Sequence, residues 1–137
     1  MSPTPSTRSV AFAEVAATSQ AHDAGTALVV GTTDASRATI ARLVPNATAS
    51  SGRVLVAVFQ GQQNTGGYSV RITAIERSGD QLTVRATFGV PGPGAIVTQA
   101  LTSPAHVVSI SSADASGLRE AILVDDSGAE RARTSIT

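Results

Sequence analysis

Phe59-Gln60-Gly61-Gln62-Gln63-Asn64-Thr65-Gly66-Gly67-Tyr68-Ser69-Val70 joins two kinds of strand pattern, and the change between them decides the fold. Before it, Val54 to Phe59 is apolar at every position, as in a strand buried on both faces. After it, Tyr68, Val70, Ile72 and Ala74 alternate with Ser69, Arg71 and Thr73, which fits a strand with one wet face. Across the turn Arg77-Ser78-Gly79-Asp80 the alternation resumes, with Leu82, Val84, Ala86 and Phe88 inward and Gln81, Thr83, Arg85 and Thr87 outward. A second shaped loop follows, Pro91-Gly92-Pro93-Gly94-Ala95-Ile96-Val97-Thr98-Gln99, where two prolines fix φ and two glycines open otherwise closed conformations. The first loop precedes the outgoing strand of this hairpin and the second follows the returning one. Antiparallel pairing therefore puts both loops at the same end.

Working outward, His106 to Ile110 reads as another strand behind Pro104, with Ile96 to Leu101 pairing briefly before it. Ala121 to Val124 and Ala129 to Ile136, joined by Asp125-Asp126-Ser127-Gly128, read as a closing hairpin; a helix over Ser116 to Leu123 is the alternative. Upstream, Val10 to Val15 and Ala27 to Gly31 are short strands separated by a small polar loop. Thr32-Thr33-Asp34 supplies an N-cap, after which Ile40, Leu43 and Val44 share one helical face before Pro45 stops the helix. The expected fold is mainly β (α+β): an antiparallel, sandwich-like domain with one covering helix near Asp34 to Val44. Residues 1–9 are a disordered or extended linker and 10–137 a single domain. The expected core contains Leu28, Val30, Ile40, Val56, Val58, Tyr68, Val70, Ile72, Leu82, Val84, Phe88 and Val108.

At 137 residues the chain is long enough for a core without disulfides, and it has no cysteine. Aromatic bulk is scarce, one Tyr and three Phe, so aliphatic side chains must fill the interior. The formal charge is zero and the basic residues are all arginine with no cluster, which excludes a nucleic-acid surface. No stretch approaches the apolar length of a membrane span. Met1 to Thr7 has neither the charged nor the apolar region of a signal peptide and reads as linker.

Catalysis needs a nucleophile or base with a partner in reach, and the motifs fall short of that. His22 and His106 lie in no metal-ligand spacing and read as surface or packing residues. Gly67-Tyr68-Ser69-Val70-Arg71 lacks the second glycine of a nucleophile elbow and enters a strand. Gly92-Pro93-Gly94 starts a dinucleotide fingerprint that is not completed. Asp125-Asp126 could take calcium, yet a hairpin turn accounts for the same residues. The expectation is no enzyme, no cofactor and no metal. Thr65-Gly66-Gly67-Tyr68 reads as a turn needing positive φ, and both loops, if exposed, are preorganised for docking at low entropic cost. The candidate partner-binding residues are Gln62, Asn64, Thr65, Gly66, Gly67, Pro91, Gly92, Pro93, Gly94, Ala95 and Ile96.

The order apolar strand, Gly-Gln, Thr-Gly-Gly-Tyr-Ser-Val, hairpin, Pro-Gly-Pro-Gly-Ala, Val-Thr-Gln, proline and apolar strand resembles the PrcB C-terminal domain family, over about Val54 to Ile110. The sequence departs from that pattern at Gln63-Asn64, where a proline is expected before the threonine, and at His106, where an aromatic is more usual. The resemblance implies a non-enzymatic accessory subunit that binds a protease or cell-envelope complex. It also implies an exported, often lipid-anchored protein whose signal and anchor are absent from this chain; a cytoplasmic protein is the alternative. Asn64-Thr65-Gly66-Gly67-Tyr68 also loosely resembles the binding loop of chagasin-type cysteine-protease inhibitors, without that loop's proline. A protease inhibitor is therefore the second reading. Neither resemblance names the partner or the oligomeric state.

Overall fold

The computed structural model describes residues 7–18, 28–44, 53–60, 63, 66–92, 94, 96 and 102–136. Two sheets form a sandwich. The larger has the order β1 (Thr7–Ser9), β5 (Ser69–Ser78), β6 (Gln81–Gly89), β8 (Glu120–Val124) and β9 (Glu130–Ser135). The smaller has the order β2 (Ala13–Thr18), β7 (Ala105–Ser111), β4 (Arg53–Phe59) and β3 (Leu28–Gly31). All pairings are antiparallel except β6 with β8, which run parallel because a crossover through the smaller sheet separates them.

Parity on β4 explains its unbroken apolar run. Val54, Val56 and Val58 face the larger sheet and meet Val70, Ile72, Leu82, Val84 and Leu123 between the layers. Leu55, Ala57 and Phe59 face the other way, into a second cluster under the helix α1 (Asp34–Leu43) with Ile40, Leu43 and Val44. One strand thus serves two cores, and alternation is lost because neither face is wet. The helix begins at the expected cap: Thr33 Oγ1 accepts from Ser36 N–H at 3.1 Å, and Ser36 Oγ accepts from Thr33 N–H at 3.0 Å.

The structure corrects the sequence reading at several points. A bulge lies between Ile72 and Ala74, so Ile75 rather than Ala74 returns to the core, where it is 1 % exposed. Tyr68 and Phe88 are only half-buried, at the rim of the sandwich. The first strand is really two: β1 pairs with β5 in one sheet, Val10 turns inward, and β2 pairs with β7 in the other. Thr7–Ser9, assigned to the linker by composition, therefore carries sheet pairing; residues 1–6 lie outside those described. A short helix α2 (Ser112–Ala115) follows β7 and is capped by Ser111. The tail closes as the expected hairpin, β8 with β9, and the alternative helix over 116–123 is not formed. The β5–β6 turn uses Gly79 at φ +61, the pattern of a type II′ hairpin.

Candidate functional site at the loop end of the sandwich

The two loops meet at their ends through backbone chemistry. Gln60 lies just past β4, and its Nε2–H donates to Gly89 O at 2.9 Å, where β6 ends and the second loop begins. Gln63 N–H donates to Thr102 O at 2.7 Å and Thr102 N–H to Gln63 O at 2.9 Å, which ties the first loop to the residues just before β7. Gln60 N–H donates to Pro104 O at 3.0 Å. A two-residue bridge and a side-chain strap thus hold both loops at one end.

Of the proposed site residues, Gly67 adopts φ +88 and Gly94 φ +76, conformations that favour glycine. Gly67, Gly92 and Gly94 are exposed, Gly66 and Pro91 are half-buried, and Ile96 is fully exposed at 102 %. Gln62, Asn64, Thr65, Pro93 and Ala95 lie outside the described residues.

What sequence reasoning missed is the groove between the loop bases. It has a volume of about 340 Å³ and takes in Phe59, Gln60, Gln63, Tyr68, Phe88, Val90, Leu123 and Arg131. Half-buried Tyr68 and Phe88, two of the chain's four aromatic residues, line it beside Phe59, which is 2 % exposed and packs toward α1. The Arg131 guanidinium stands 4.9 Å from the Phe88 ring centroid, close enough for a cation–π contact. Gln60 Oε1 is buried in the wall and accepts no hydrogen bond among the described residues. Val90, 67 % exposed, extends the apolar surface outward along the second loop. The sequence signal that could have found the groove was the scarcity of aromatics together with their positions just outside the loops.

Arg131 is held from behind. Its Nε donates to Asp125 Oδ2 at 2.8 Å, while Asp125 Oδ1 accepts from the Ser127 hydroxyl and from Ser127 and Ala129 N–H. The Asp125 carboxylate therefore organises the hairpin turn. The Ser127 hydroxyl and then the Arg131 guanidinium hold its pKa well below the ordinary 3.8. A depressed folded value contributes stability that is fully present above about 3.8 and is lost as pH falls through the folded value. We predict that Asp125→Asn lowers the melting temperature at neutral pH, and that the gap to the parent chain narrows between about pH 5 and about pH 2. A gap constant across that range would show that the carboxylate charge does not stabilise the turn.

His106 sits on β7 between the sheets and is 4 % exposed. Ile72 N–H donates to its Nδ1 at 2.9 Å, so the ring proton lies on Nε2, which faces Glu14 Oε1 at 2.9 Å. This histidine has a structural role, joining one layer to the other. Among the described residues no group of three or more His, Asp or Glu side chains is placed to hold a metal ion, and no helix is long and apolar enough to cross a membrane.

Residues 54–111 match the family model described as PrcB C-terminal. That segment covers β4 to β7, including both strands at the centre of the smaller sheet, the β5–β6 hairpin and both loops. The match takes in less than half of the chain; β8, β9 and the elements before β4 lie outside it. No curated protein and no solved structure matches the chain.

Proposed function

We propose that this is a non-enzymatic accessory domain that binds a protein of a protease or cell-envelope complex through the loop end of the sandwich. The observation that carries the reading is the placement of half-buried Tyr68 and Phe88 with Arg131 in one groove, continued by exposed Val90, at the end where the two loops are tied together. Aromatic and arginine side chains are what most often anchor protein interfaces. The rigid loop bases reduce the entropy lost on docking. The PrcB-type segment supports an accessory role, and an exported or envelope location goes with that resemblance.

A photoreactive side chain at Ile96, compared with the same group at Arg42 on the outward side of α1, tests the site in the native source. A discrete adduct is expected from position 96 alone. Val90→Arg should reduce the adduct more than about tenfold, because the charge would be desolvated in the interface, while the melting temperature shifts by no more than about 2 °C. Equal adducts from both positions would place the interface elsewhere. Inhibition of purified papain-like or subtilisin-like protease by the chain would favour the inhibitor reading; binding without inhibition favours the accessory role.

A further inference from the structure

Among the described residues, the larger sheet has one edge left open where the others are protected. β1 pairs only with Glu76 to Ser78 of β5, and Val10 N–H adds one bond to Ile75 O before the chain leaves for the other sheet. From Ser69 to Ala74, β5 is paired on its β6 side alone among the described residues. Ile72 N–H points away from β6 to reach His106, so by strand alternation the N–H and C=O of Val70 point to the same open side. His106 takes the Ile72 N–H; among the described residues nothing is paired with Val70 on that side.

The other edges differ. β9 carries Glu130, Arg131 and Arg133, and charges on an edge discourage pairing. β2 is bulged between Glu14 and Ala16. On β3 the carbonyls of Val30 and Gly31 already accept from Thr32 N–H and Arg37 Nε. Beside the β5 edge lies a mostly apolar cleft of about 300 Å³ between the sheets, formed by Ala17, Thr18, Tyr68, Val70, Pro104 and Ala105. On the outer side of the same edge Arg71 is exposed, and among the described residues its guanidinium makes no hydrogen bond or ion pair.

We propose that the β5 edge at Val70 docks an extended peptide segment of a partner protein, which adds as a strand to the larger sheet. Period-two geometry dictates its chemistry. The residue paired with Val70 puts an apolar side chain into the cleft beside Ala17, and its neighbour presents a carboxylate to Arg71. Unpaired main-chain groups supply the affinity, and the cleft and the cation supply the selection. This site borders the loop-end groove at Tyr68 but does not rest on the docking proposed there.

The probe is a short blocked peptide of alternating valine and glutamate, titrated into the isotope-labelled full chain. Expected are slower hydrogen exchange at the Val70 amide and a shift of its resonance that saturates with peptide. N-methylation of the peptide at its pairing position should abolish both. Exchanging the glutamates for lysine should weaken binding about threefold, as an exposed ion pair would, and Arg71→Glu should reverse that preference. Binding that is indifferent to N-methylation, or a Val70 amide unmoved at millimolar peptide, would overturn the proposal. Protection of Val70 that rises with protein concentration in the absence of peptide would assign the edge to a second copy and overturn it as well.

Discussion

Replacing His106 by phenylalanine is expected to lower the free energy of unfolding by about 2 kcal/mol. Phenylalanine keeps an aromatic ring, larger than imidazole, but takes away the acceptor: Ile72 is 2 % exposed, and its N–H has His106 Nδ1 as acceptor. Left without that acceptor, a buried N–H costs the desolvation it incurred on folding, with no bond in return. His106→Ala should cost more, about 3 kcal/mol, because a cavity is added to the missing bond. Glu14→Gln keeps an acceptor for Nε2–H at an exposed position, so it should change stability by less than about 0.5 kcal/mol. Urea unfolding of the three variants checks the order. A phenylalanine variant as stable as the parent would mean that the Ile72 amide finds another partner and that the histidine does not join the layers.

This bond also shows where reading the sequence stopped. His106 looked like a lone histidine beside a proline, because its partner is a backbone amide 34 positions away in the other sheet. Nothing in local periodicity encodes a bond between layers. The bulge that follows Ile72 was hidden for a related reason: Tyr68, Val70, Ile72 and Ala74 alternate without fault, and only the pairing with β6 inserts the extra residue that brings Ile75 inside. β1 was invisible because Thr7-Arg8-Ser9 has no apolar face and is held by main-chain pairing. By contrast, β4, the α1 cap, the β5–β6 hairpin and the Asp-Asp-Ser-Gly turn were legible, since each rests on composition or turn chemistry within a few residues.

The candidate site divides along the same line. That both loops share one end followed from antiparallel connectivity, and the bonds from Gln60 to Gly89 and Gln63 to Thr102 join them at their bases. The groove did not follow. In the local pattern Phe59 is a strand's last residue, Phe88 a core position and Arg131 one residue of the closing hairpin. Their meeting depends on β8 pairing parallel to β6, which brings β9 and its Arg131 alongside Phe88. A parallel contact across so long a crossover leaves no mark in the local pattern.

Truncating Ile40 to alanine is expected to cost about 3 kcal/mol and to loosen the smaller sheet before the larger one. Ile40 is fully buried at 0 % exposure and is packed with Leu43 and Val44 over Leu55, Ala57, Phe59, Ala105 and Val107. The contact is close. A Cβ built on Gly31 would lie 3.1 Å from Ile40 Cδ1, so glycine at the end of β3 lets the helix settle on the sheet, and alanine there should also be disfavoured. Without Ile40 the helix loses its central apolar anchor, and an isolated helix of this length does not persist in water. The outer face of β4 would then be wet at Leu55 and Ala57, while Val54, Val56 and Val58 keep their contacts between the layers. Hydrogen exchange should therefore accelerate in α1 and β3 at lower denaturant than in β5 and β6. Arg42→Ala on the exposed side of the same helix should leave stability within about 0.5 kcal/mol of the parent. Should Ile40→Ala cost less than about 1 kcal/mol, or should all four segments exchange together, α1 would be a surface appendage and β4 would not depend on its cover.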